Sequence, residues 1–160
     1  MSEGIRRISE SGDEFLAPLP PGVGIDLWDV SPDLSWIVFG RYVAAVCDSE
    51  LWEMPVATAQ PRRIGLVCAS AAAWSPDGSK LAYNDGRALF LANPDGNAAT
   101  KLMTLPYDRP TDLRWSPDGR RLRFVLAEGP NAHPRLWEVQ IDRRSAEPLL
   151  PGWGEDTDNQ

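Results

Sequence analysis

Histidine occurs once in the 160 residues, at His133, and cysteine twice, at Cys47 and Cys68. A Ser-His-Asp hydrolase needs its histidine held by a third group. His133 stands instead before Pro134, just after Gly129-Pro130-Asn131, and no G-x-S-x-G elbow is present. No catalytic residue is therefore assigned. The two cysteines lie in no C-x-x-C spacing, and two buried, inert thiols are expected in preference to a disulfide. Positive charge is in deficit. The 16 Lys and Arg against 23 Asp and Glu give a net charge of −7, which argues against a nucleic-acid partner. No stretch approaches the ~18 apolar residues of a membrane span, so no membrane segment is expected. The start, MSEGIRRISESGDEF, lacks an apolar signal core, which points to a cytoplasmic location for the chain as written. Phosphate-cradling glycine loops are absent, so no cofactor is expected. The segment NPDGN (93–97) lacks the alternating acidic spacing and downstream Glu of a calcium loop and reads as a plain turn, with no metal.

What is present is turn chemistry and tryptophan. Fifteen Pro, 13 Gly and 7 Trp suit short strands joined by many turns rather than a helical bundle. The string WSPDG occurs twice, at 74–78 and 115–119, with a weaker copy, VSPDL, at 30–34. Anchored on Ser31, Ser75 and Ser116, the copies stand 44 and 41 residues apart. Position −1 holds Val30, Trp74 and Trp115; position −3 holds Trp28, Ala72 and Leu113. Position +6 holds Ile37, Leu81 and Leu122; position +8 holds Phe39, Tyr83 and Phe124. Apolar columns stepping by two are strand periodicity. Each unit thus opens strand, turn, strand. The turn residues are Ser31, Pro32 and Asp33; Ser75, Pro76, Asp77 and Gly78; and Ser116, Pro117, Asp118 and Gly119. Ser bonds back to the backbone, Pro presets φ, and Gly releases the chain into the next strand. Leu34 replaces that Gly in the first copy, so a less ideal turn is expected there.

A third strand follows at Leu51, Leu89 and Leu136, and a fourth at PRRIGLV, TKLMTLP and AEPLLPG. Four strands at a period near 40 is the arithmetic of a β-propeller blade. The opening IRRISESGDEFLAPLP can be laid over LWEVQIDRRSAEPLLP, the third and fourth strands of a blade. The expected fold is all-β: a partial propeller of about three and a half four-stranded antiparallel blades. The divisions are a half blade over 1–26, blades over 27–66, 67–106 and 107–153, and an acidic disordered tail over 154–160. Trp74 and Trp115 are expected to be buried, with Trp52 and Trp137 sharing one third-strand column and Trp153 exposed.

AAWSPDGSKLAY…LFLANPDG and LRWSPDGRRLRF…LWEVQID resemble the TolB-type, WD-like propeller repeat, over nearly all of residues 4–153. The resemblance implies a ring of six to eight blades in a complete protein and a binding role rather than a named ligand. It is also similar to propellers attached to bacterial winged-helix regulators, to membrane-linked sensors and to prolyl-peptidase-like hydrolases, none of whose other domains stands in this chain. Three and a half blades do not close a ring. Apolar flanks are therefore expected at both ends, met by further blades, by a second copy in a homodimer, or by another protein partner. The long hairpins around Tyr42, Asp48, Asn131 and His133 are the candidate recognition loops. The arginines crowding the last third, Arg109, Arg114, Arg120, Arg121, Arg123, Arg135, Arg143 and Arg144, read as a solvated surface.

Overall fold

Apolar and polar residues alternate on either side of each Ser-Pro-Asp turn, and the chain answers with antiparallel pairs. The structure is a computed structural model that describes residues 4–18, 24–43, 47–107, 109–127, 129 and 133–150. Trp153, Asn131 and the tail lie outside them. Among the described residues every regular element is a strand, and no helix is long and apolar enough to cross a membrane. A two-stranded hairpin comes first, β1 (Gly4–Ser9) and β2 (Gly12–Pro18). A sheet of β3 (Ile25–Val30), β4 (Trp36–Val43), β5 (Cys47–Pro55) and β6 (Arg62–Cys68) follows. The next holds β7 (Ala72–Trp74), β8 (Leu81–Asn84), β9 (Ala88–Ala92) and β10 (Thr100–Thr104). The last holds β11 (Thr111–Trp115), β12 (Arg121–Ala127), β13 (Pro134–Gln140) and β14 (Ser145–Pro148). All pairings within the sheets are antiparallel and sequential.

The first strands β3, β7 and β11 lie beside one another, so the three sheets fan from a shared axis as the blades of a partial β-propeller. Between the first two full blades, Val38, Leu51, Ile64, Trp74, Leu81 and Tyr83 form one core. Between the second and third, Ala73, Ala82, Leu89, Leu113, Phe124 and Trp137 form another. A smaller cluster of Ile37, Phe39 and Met54 meets Ile5 of β1, which puts the hairpin in the place of a half blade. Polar straps cross at the axis. The Trp74 backbone N–H donates to Asp29 Oδ2 at 2.9 Å. The Trp115 indole donates to Ala73 O at 3.0 Å, and Arg114 Nη1 donates to Trp28 O at 3.2 Å.

One expected column divides. Register shifts between Leu27 and Asp29 and between Thr111 and Arg114 mark bulges in β3 and β11, whereas β7 runs without one. Leu27, not Trp28, pairs with Phe39 as Ala72 pairs with Tyr83. The extra residue of a bulge shifts every later side chain by one face.

The three turns share one hydrogen-bond plan. Ser31 N–H, Ser75 N–H and Ser116 N–H each donate to the carbonyl five residues on, at 2.9 Å. Each Ser hydroxyl donates to the Asp two residues on, at 2.6, 2.6 and 2.5 Å. Leu34 repeats the hydrogen bond of Gly78 and Gly119 to the Ser carbonyl, but at φ 60° where they stand at 69°. A side chain in that left-handed region costs about 1–2 kcal/mol. Leu34 is 71% exposed and packs on little. Leu34→Gly is expected to raise stability by about 0.5–1 kcal/mol, read as a higher urea midpoint; an unchanged or lower midpoint contradicts it.

The cysteine expectation is corrected. Cys68, at the end of β6, is disulfide-bonded, and no described cysteine is free. The chain's other cysteine is Cys47, at the start of neighbouring β5. Widely spaced cysteines look unpaired in a sequence until two strands of one sheet bring them near each other.

Candidate functional site

Antiparallel order puts the Ser-Pro-Asp turns and the third-to-fourth strand turns at one end of the blades. The long hairpins stand at the other. Of the residues expected in those hairpins, Tyr42 closes β4, is exposed, and its N–H donates to Gly24 O at 2.9 Å. His133 is exposed just before β13. Asp48 lies within β5, its side chain outside the described residues, as Asn131 is altogether.

At the opposite end, between the first two full blades, described residues line a cavity of about 330 Å³. The turns carrying Asp33, Asp77 and Asp95 form its rim, and Trp36, Trp74 and Glu53 line it. Glu53 is 1% exposed, and burial pushes its carboxyl pKa upward, with the charge of Asp95 adding to the rise and Arg62 opposing it. Arg62 lies across the opening, its Nη2 paired with Glu53 Oε1 and its guanidinium 5.6 Å from the Trp36 ring centre. Asp33 and Asp77 are held at about 2, chiefly by their Ser31 and Ser75 hydroxyl hydrogen bonds. Their contribution to stability is complete above about pH 4, the unfolded value. It is lost as pH falls through about 2. Replacing both by Asn is expected to flatten the stability profile between those limits; a profile of unchanged steepness contradicts it. Among the described residues no three acidic, Cys or His side chains are placed to hold a metal ion.

A second cavity of about 350 Å³ repeats the first one blade further round, lined by Lys80, Leu91, Trp115 and Ile141. Strand register aligns them. Val38 pairs with Glu53, Ala82 with Leu91 and Arg123 with Glu138. Glu53 thus occupies the place that Leu91 fills next door. Sequence reading passed over Glu53, Arg62 and Trp36; comparing the third-strand columns residue by residue is the signal that finds them.

The two ends of the fan differ. Position −1 inserts Trp74, 5% exposed, against the preceding blade, but Val30 in that column is 38% exposed and Leu27 on the same strand 59%. Among the described residues the sheet before them holds only β1 and β2, and neither covers them. On the last blade, the column of buried Val38 and Ala82 holds Arg123, whose Nε donates to Glu138 Oε2 at 2.9 Å, with Arg121 at 3.7 Å from Oε1. The expected apolar flank is therefore found at the first end, while the last carries an ion network beside a small cavity at Val125, Leu136 and Leu150. Arg114, Arg121 and Arg123, expected only to be solvated, have these specific partners.

Comparison with solved structures decides the architecture. A putative TolB from Agrobacterium tumefaciens superposes with a TM-score of 0.70 at 15% identity, over 86% of this chain and 52% of that one. TolB from Acinetobacter baumannii gives 0.69 at 16%, over 90% and 36%. The fold is a partial β-propeller of the TolB type. A nidogen/laminin complex matches at 0.71 and 12% identity, over 91% of this chain and 56% of that one. The chain thus spans about half the length of the solved propellers it resembles, or less. No protein-family model and no curated protein matches it.

Proposed function

We propose that the chain is a non-catalytic binding segment of a propeller, completed by strands from outside it. The observation that carries this is the half blade: β1 and β2 stand beside a full blade whose inner strand leaves Leu27 and Val30 uncovered. An exposed apolar strip beside an unpaired strand edge is a docking surface for further strands. Two copies of three and a half blades make about seven, within the usual range of closed rings. The matched nidogen structure is a complex with laminin, which supports protein binding by such a fold. An oligogalacturonate lyase also superposes, with a TM-score of 0.65 at 16% identity over 93% of this chain and 48% of that one, so the reading rests on the open flank and not on the fold. The Cys68 disulfide favours an oxidising compartment, since cytosolic disulfides are rare.

Light scattering on the isolated chain tests it. Twice the chain mass at micromolar concentration is expected, falling to one chain mass in Val30→Asp. A well-folded monomer of the parent chain contradicts it.

A further inference from the structure

The groove between the first two full blades is built for a cation. Glu53, only 1% exposed, reaches its floor; Oε1 is in ion-pair contact with Arg62 Nη2 but has no aligned hydrogen-bond donor. A buried carboxylate left in that state is costly to keep. The fold does not demand it, because the next groove round closes over Leu91 at the same register position. Trp36 supplies an aromatic face beside the carboxylate, where the next groove has Lys80. Asp33, Asp77 and Asp95 stand at the rim. Four carboxylates against one arginine leave the groove strongly negative, yet no three of them converge as metal ligands. Carboxylate below and indole beside is the pairing that receives a planar organic cation. The chain's own Arg62 already occupies part of it in that manner, over Trp36 and against Glu53, while about 330 Å³ stays open.

We propose that this groove binds the guanidinium group of an arginine side chain from a partner protein, with Arg62 as the internal occupant it displaces. Both walls belong to this chain, so the site does not depend on how the ring closes. Glu53 receives the guanidinium N–H groups, Trp36 stacks on its face, and the rim aspartates draw in the charge and repel a carboxylate.

The probe is N-acetyl-L-arginine N-methylamide, titrated into the folded chain and followed by NMR at the Trp36 and Trp74 indole N–H signals. A dissociation constant on the order of 1 mM is expected, with the isosteric neutral citrulline analogue at least about tenfold weaker because it brings no charge to the pair. Arg62→Ala removes the competing occupant, so the probe is expected to bind about tenfold tighter. Glu53→Leu copies the neighbouring groove and is expected to fold and lose binding. The comparison of arginine and citrulline probes on the parent chain keeps the test decisive even if Glu53→Leu or Arg62→Ala misfolds. Equal binding of the citrulline analogue, no gain in Arg62→Ala, or shifts scattered over other acidic positions overturns the proposal. Tighter binding of free arginine than of the blocked form also overturns it, since the ligand is then the amino acid and not a partner's side chain.

Discussion

Gly40→Val is expected to destabilise the chain by about 3 kcal/mol, at the upper end for overpacking a core. Gly40 lies in the middle of β4, in a buried stretch, where its backbone pairs with Asp26 on one side and Leu51 on the other. A Cβ built there collides with Trp28 Cζ2 and falls 2.9 Å from Ser49 Cβ. The Ser49 contact belongs to an adjacent strand and has little room to give. The Trp28 ring is the bulged residue of β3 and packs into the core between the first two full blades, so it moves only by disturbing that core. Trp28→Leu alone loses burial and leaves a cavity, for about 2–3 kcal/mol. In the double variant the ring that obstructs the added isopropyl group is gone. Its loss is expected to fall short of the sum of the two single losses by at least about 1 kcal/mol. Denaturant midpoints of the four proteins check this; strict additivity contradicts it.

Asn84→Leu is expected to cost about 3–4 kcal/mol, the loss of more than one buried hydrogen-bond partner, although Leu is apolar and Asn84 fully buried. Its Oδ1 accepts from Ser70 N at 3.1 Å, Ser70 Oγ at 2.9 Å and Gly86 N at 3.1 Å. Its Nδ2 donates to Pro110 O at 3.0 Å, and the single Ser70 hydroxyl proton is shared between Asn84 Oδ1 and that carbonyl, both 2.9 Å from Oγ. One side chain therefore ties the entry into one blade to the entry into the next. Leucine leaves the Ser70 and Gly86 N–H groups without that acceptor, while Pro110 O keeps Ser70 Oγ, and each buried orphan costs about 1–3 kcal/mol. Urea unfolding measures it. A midpoint within error of the parent contradicts the strap, while Leu66→Ala, at an 88% exposed position, serves as the unaffected control.

The strands and turns were legible because they rest on local chemistry. Pro32, Pro76 and Pro117 preset φ and the Ser-Asp pairs close each turn. The six-residue shortening of the middle hairpin is visible as the reduced distance from Ser75 to Leu89. The bulges were not legible, since Trp28 and Leu113 are apolar and fit a strand column as well as Ala72 does. The Cys68 disulfide and the Asn84 strap depend on contacts between strands or blades that no local pattern encodes. The groove was half legible. Asp33 and Asp77 were noted as turn residues, but Glu53 and Arg62 acquire meaning only when the register sets Glu53 beside Leu91. The cavity forms where short turns of adjacent blades pack together, a contact between blades that hairpin length does not report.

The most direct measurement is a NOESY spectrum of the folded chain read for contacts between sheets. Blades fanned about one axis place the Trp115 indole N–H against Ala73 and the Arg114 side chain beside Trp28, 42 and 86 residues away in sequence. Both cross-peaks are expected, together with those between Trp74 and the core of the preceding blade. Cross-peaks confined within each sheet, with neither of those present, would contradict the propeller.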